Sequence, residues 1–203
     1  LAFLSEWLKF KVRTLTTAGL DDAAAALALK AQSLNPEVII GIRSGGYVVA
    51  ELMAKHFPQA RLFAITCQRP STKKKQSISL IGHILRALPH GINNQLRIVE
   101  HIMLTQLRAP QRNVVLPDPG ELDAIENYLR GHKTSHILIV DDAVDSGATL
   151  EAVHKAVSTV ADADATIKIA AVTVTTHTPR IMPDFFLYRF VLCRFPWSLD
   201  AKE

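Results

Sequence analysis

A chain of 203 residues with 48% apolar and 21% charged side chains can bury one sizeable core and still carry an insertion. No apolar run reaches about eighteen residues, so no membrane-spanning helix is expected. The net charge of +4 suits an anionic ligand and is too mild to argue for nucleic acid by itself.

The opening "LAFLSEWLKFKVRTL" carries charges throughout and lacks the layout of a signal peptide. Leu1–Leu15 and Leu20–Leu34 read as helices, the second Ala-rich with Asp21 and Asp22 near its N-terminus. Pro36 ends that region. "EVIIGI" (Glu37–Ile42) is a short buried strand, "RSGG" a glycine turn, and a helix runs on to Phe57 with Val48 and Leu52 on its apolar face. "ARLFAIT" (Ala60–Thr66) is the next strand.

From Gln68 to Thr134 the character changes. "QRPSTKKKQS" is a basic loop, and Lys73, Lys74 and Lys75 read as its solvated tip. A helical insertion is expected over about 77–131 and is read as a packing or homodimer surface. It contains "ISLIGHILRAL", "NNQLRIVEHIMLTQL" and a helix capped by Asp118, with Pro119 at its first position and Gly131 as its stop. Beyond it come the strand "HILIV", the helix "ATLEAVHKAVSTV", the strand "TIKIAAVTVTT" and a last strand, "FFLYRFVLCRF". Strands separated by helices predict an α/β fold with a mainly parallel central sheet flanked by helices.

Cys67 and Cys193 form no CxxC pair and read as free thiols of a reducing cytoplasm. The eight histidines, His83, His90 and His101 among them, show no ligand spacing, so no metal site built from protein alone is expected.

The chemistry gathers at two strand ends, where ligands of parallel sheets bind. In "ILIVDDAVDSGAT" a buried strand runs into Asp141 and Asp142, then Asp145, Ser146, Gly147, Ala148 and Thr149. A glycine turn opening a helix converges backbone N–H groups on a phosphate, with the Ser146 and Thr149 hydroxyls as further donors. The acid pair suits vicinal hydroxyls or a divalent cation, and unpaired acids buried there would cost several kcal/mol, on the order given for isolated ions. "GIRSGG" is neither a Walker loop, having no following GK[ST], nor a dinucleotide fingerprint.

These stretches resemble type I phosphoribosyltransferases. "ILIVDDAVDSGAT" fits that family's motif for 5-phosphoribosyl-1-diphosphate (PRPP) at every position. "IIGIRSGGYVVAELMAKHF" resembles its pyrophosphate loop, the basic segment after Arg69 falls where the family has a mobile loop, and "RFPWSLD" resembles the Pro-Trp ending of the bacterial 6-oxopurine branch. The resemblance implies a single domain over 1–203 with a small C-terminal hood over about 176–203. It implies transfer of the phosphoribosyl group from PRPP to a purine-like or modified heterocyclic base, with Mg2+ carried largely by PRPP and met by Asp141 and Asp142. Asp141 and Asp142 would hold the ribose hydroxyls, and Asp145 to Thr149 the 5′-phosphate. Arg43, Ser44, Gly45 and Gly46 would hold pyrophosphate, with a cis peptide between the first two. Asp145 would also be the catalytic base, near N7 of a purine.

The acceptor side departs from that pattern. Thr178 stands where a lysine would contact the 6-oxo group, Leu192 where an aromatic would stack on the base, and Ser198 where an acid would follow Pro-Trp. Cys193 joins Thr178 and Leu192 as a base-site candidate, and Trp197 is read as packing the C-terminal segment. The expected partners are PRPP and a base or nucleotide, without membrane or nucleic acid. Two other readings stay open: a non-catalytic PRPP- or nucleotide-binding regulator, and an enzyme that pyrophosphorolyses a nucleotide.

Overall fold

The computed structural model describes residues 11–68, 94–98, 116–198 and Ala201. The central sheet has five strands in the order β3-β2-β6-β7-β8. These are β2 (Val38–Ile42), β3 (Arg61–Ile65), β6 (His136–Val144), β7 (Thr166–Val174) and β8 (Phe185–Arg189), and every neighbouring pair is parallel. Helices α1 (Thr17–Ala31) and α2 (Gly45–Ala54) cover one face; α3 (Pro119–Gly131) and α4 (Ala148–Val160) cover the other. The unalternating strands follow from this layering. Ile39, Leu138, Val140, Ala170 and Val172 pack towards α1 and α2, while Val38, Ile40, Ile137, Ile139 and Ile169 pack towards α3 and α4.

Two small sheets complete the chain. β1 (Lys11–Thr14) pairs in parallel with β9 (Val191–Arg194) as the hood. β4 (Cys67–Gln68) pairs antiparallel with β5 (Leu116–Pro117), so residues 69–115 leave and return at one point. Within that span residues 94–98 are helical and lie on the hood. Arg97 Nη1 donates to Cys193 O at 2.8 Å, and Ile98 packs with Leu192 and Val12.

Four expectations change. The helix predicted over Leu1–Leu15 is replaced at Lys11–Thr14 by strand β1, because register with β9 satisfies backbone that apolar spacing alone assigned to a helix; residues 1–10 lie outside the described residues. Helix α1 begins earlier than Leu20, at Thr17, because Thr16 Oγ1 accepts from Gly19 N–H at 3.1 Å; Asp21 and Asp22 then fall beyond the first turn. The C-terminal strand is two strands, broken at Phe190, whose φ of 58° turns the chain out of the central sheet and into the hood. Helix α3, grouped by its sequence with the insertion, buries Ile125 and Leu129 against the sheet and is part of its cover. The basic loop, "ISLIGHILRAL" and most of "NNQLRIVEHIMLTQL" lie outside the described residues.

Helix α3 starts as its sequence indicates. Asp118 Oδ1 accepts from Glu121 N–H at 3.1 Å, and Pro119 occupies a first-turn position that needs no donor. Asp118→Ala should cost about 1 kcal/mol in urea unfolding, the usual value of a lost N-cap. A loss near zero would show that the β4–β5 pairing alone fixes this helix start.

Candidate active site

The two glycine-containing loops meet at the carboxyl ends of β2 and β6. The Arg43–Ser44 peptide is cis, as expected, and leads into the buried Gly45 and Gly46 at the start of α2. Both glycines are required by close approach. A Cβ on Gly46 would lie 2.7 Å from Asp141 Cα and 2.8 Å from Val140 O, and one on Gly45 would lie 2.0 Å from Asp142 Oδ2. The pyrophosphate-loop candidate therefore rests directly on the acid pair.

The acids sit on the last part of β6. Asp141 Oδ1 accepts from Asp142 N–H, and Asp142 Oδ1 accepts from Ala143 N–H, each at 3.0 Å. Asp142 Oδ2 accepts from the indole Nε1–H of Trp197 at 3.2 Å. Burial outweighs these hydrogen bonds and pushes the Asp142 carboxyl above its ordinary value.

Beyond Val144 the chain turns at Gly147, whose φ of 75° is left-handed, and enters α4 without a side-chain cap. Ala148 N–H, the first of α4, donates to Ser146 Oγ at 3.4 Å, and the turn stands at a positive helix end. The single Thr175 hydroxyl hydrogen is shared between Val144 O at 3.2 Å and Asp145 Oδ1 at 3.5 Å, setting the third acid on the side of the loop after β7. That loop leans on the Gly147 turn: Arg180 N–H donates to Ser146 O at 2.9 Å, and Arg180 Nη1 pairs with Glu151 Oε2 at 3.2 Å. A Cβ on Gly147 would lie 3.2 Å from Pro179 Cβ. Thr178, immediately before Pro179, is exposed beside this turn.

The other acceptor-side candidates are placed elsewhere. Leu192 is buried against Val12 and Ile98, on the hood face opposite Cys193, because successive strand residues point to opposite faces. Cys193 belongs to the core; burial pushes its thiol up to about 11, which keeps it neutral and unreactive. The aromatic beside the Thr178 loop is Phe190, two residues before Leu192. Its ring lies 4.1 Å from that of His177. Ser198 Oγ accepts from Phe195 N–H at 3.0 Å and closes a turn, and Asp200 lies outside the described residues.

Three participants escaped the sequence reading. Trp197 stacks on Phe195 at 5.0 Å as a packing residue would, yet its indole N–H goes to Asp142. Phe190 was hidden inside an apparently continuous strand. Glu121 bonds Arg43 Nε at 3.4 Å through Oε1 and accepts from Thr66 N–H at 2.5 Å through Oε2. Its sequence signal was the spacing Asp118-x-x-Glu121, a capping-box pattern, but the carboxylate reaches across to other elements instead of back to the cap.

The described residues hold no group of three or more His, Cys, Asp or Glu side chains able to cage a metal. No described helix is long and apolar enough to cross a membrane.

The fold recurs in solved structures. A purine phosphoribosyltransferase from Pyrococcus horikoshii Ot3 is 22% identical with a TM-score of 0.56, over 92% of this chain and 93% of that one. The Helicobacter pylori xanthine-guanine-hypoxanthine phosphoribosyltransferase is 15% identical with a TM-score of 0.60, over 94% and 96%. A Neisseria gonorrhoeae protein solved with bound ppGpp is 18% identical with a TM-score of 0.58, over 95% and 92%. Among curated proteins no sequence matches. The family model for the phosphoribosyl transferase domain matches residues 14–202, nearly the whole chain, and the protein therefore belongs to the phosphoribosyltransferase family.

Proposed function

We propose that the protein transfers the 5-phosphoribosyl group of PRPP to a ring nitrogen of a purine-like or modified heterocyclic base, releasing pyrophosphate. The observation that carries this reading is the direct seating of Gly45 and Gly46 on Asp142 and Asp141. That seating supports reading the Arg43–Gly46 turn as a pyrophosphate loop beside a pair of hydroxyl acceptors. A regulator that only bound a nucleotide would have no need of the pyrophosphate loop.

In this reading the 5′-phosphate takes the α4 N-terminus at Ser146–Thr149, and Asp141 and Asp142 accept the ribose hydroxyls. Arg43 and the N–H groups at Ser44–Gly46 hold the diphosphate. The bond from ribose C1 to the diphosphate oxygen breaks with its electron pair leaving on pyrophosphate, and the acceptor nitrogen bonds to C1. The sugar ring is cationic between these events, and the fixed carboxylates below it stabilise that charge without reorganising. Asp145, held by Thr175, accepts the proton that the base must lose. The Asp141 and Asp142 carboxylates, hard oxygen donors, would meet Mg2+ together with the substrate's phosphates. When bound, the ion supplies charge neutralisation for the departing diphosphate.

The purine-like acceptor is supported by Asp145 and by the acceptors that the P. horikoshii and H. pylori proteins are named for. Cys67 and Cys193, which form no disulfide, suit a reducing cytoplasm. PRPP should bind in a magnesium-dependent manner in calorimetry with and without a chelator. Absence of binding at about millimolar PRPP, with the protein folded, would overturn the reading. Pyrophosphate release across a panel of heterocycles then identifies the acceptor.

A further inference from the structure

Glu121 joins two parts of the molecule that the proposed chemistry uses separately. One of its oxygens meets the Arg43 side chain at 3.4 Å; the other takes Thr66 N–H at 2.5 Å. Thr66 is held from both sides by the start of α3, because Asp118 N–H donates to Thr66 O at 2.8 Å. Immediately after Thr66, β4 pairs with β5, where residues 69–115 leave and return. Arg43 touches the same place through its backbone, donating its N–H to Ile65 O at 2.9 Å. A single carboxylate thus lies between the pyrophosphate-loop cation and the clasp that closes the 69–115 excursion.

We propose that Glu121 is a positioning residue that restrains Arg43 and counters its charge, so that pyrophosphate is held less tightly than Arg43 alone would hold it. The inference rests on the assignment of Arg43 to the pyrophosphate site. The chemistry is competition. Arg43 is half exposed, so it can turn from Glu121 to a diphosphate, but each diphosphate it captures must displace the carboxylate and then sit beside it. A product carrying several negative charges is disfavoured by that neighbour, which favours its departure. The aromatic face of Tyr47, 5.3 Å from the Arg43 guanidinium, supports the side chain without adding a charge.

Glu121→Gln separates the two duties, because the amide oxygen still accepts from Thr66 N–H while the negative charge is gone. Magnesium pyrophosphate should bind Glu121→Gln about 2–5-fold more tightly than wild type, the range of a partly exposed ion pair. The difference should shrink as salt is raised, and thermal unfolding should be nearly unchanged. Glu121→Ala, which also abandons Thr66, should show the same tightening together with a lower unfolding temperature. Unchanged or weaker pyrophosphate binding by both variants, with wild type binding normally, would overturn the role of Glu121. Failure of wild type to bind either magnesium pyrophosphate or PRPP would instead refute the assignment of the site itself.

Discussion

The double variant Asp141→Asn with Asp142→Asn should bind PRPP at least about tenfold more weakly than wild type, ~1.4 kcal/mol. Without ligand it should unfold at the same or a higher temperature. The two effects have one cause. The acids are crowded at a strand end against Gly45 and Gly46, where a pair of carboxylates suits a ligand with hydroxyls or a cation. For Asp142 burial is the largest influence and disfavours the charged form, so the folded chain holds this proton more tightly than the unfolded chain does. Its contribution to stability is therefore complete below the ordinary value of 3.8 and is lost as pH rises through the raised folded value. The variant cannot lose it, so its unfolding temperature should gain on wild type between acid and neutral pH. One loss acts the other way: an asparagine at 142 has one acceptor oxygen for the N–H groups of Ala143 and Trp197, which now use two. Differential scanning calorimetry across pH and PRPP titration at neutral pH test both halves. Marked destabilisation with unchanged PRPP affinity would identify the acids as structural.

What could be read from the sequence was local chemistry. The run Ile137–Val140 ending in acids announced a strand buried on both faces with a reactive end, and the loops at Arg43 and Asp145 declared themselves by residue type and order. The helix start at Asp118 and the helix Ala148–Val160 were likewise set by neighbours in the chain. What could not be read depends on distant partners. Lys11–Thr14 becomes a strand only because Val191–Arg194 lies beside it, and that strand exists only because Phe190 takes a left-handed backbone. The same break decides how the base-site candidate Leu192 is placed: the hood turns it towards Val12 and Ile98, while Phe190 stays with His177. Trp197 satisfied a bland local reading as packing, and Glu121 stood out only by its spacing from Asp118. Their second partners, Arg43 just after β2 and Asp142 on β6, are far away in sequence.

Hypoxanthine and guanine should be turned over at least about 10²-fold less efficiently than the true acceptor, the scale of a missing polar contact or a poor fit. Leu192 is buried against Val12 and Ile98, so the acceptor-side departures left to argue from are Ser198 and Thr178. Ser198 spends its hydroxyl on Phe195 N–H, so it does not replace an acid. Thr178 offers a short neutral hydroxyl where a long cation would reach the 6-oxo group. Its loop is nevertheless seated as recognition of a base beside the phosphate turn would require, through Arg180 N–H on Ser146 O and Pro179 against Gly147. A lysine at this exposed position could extend over that turn without displacing any packed group. Thr178→Lys should therefore shift kcat/KM towards 6-oxopurines while PRPP binding, which the proposed site assigns to Asp141, Asp142 and the α4 N-terminus, stays as in wild type. A shift in PRPP affinity of the same size would show that the substitution disturbs the phosphate turn and not the acceptor. Wild-type turnover of hypoxanthine or guanine with kcat/KM near ~10⁵ M⁻¹s⁻¹, an ordinary enzyme value, would mean that a threonine suffices where a lysine was expected, and the unusual acceptor would have to be abandoned.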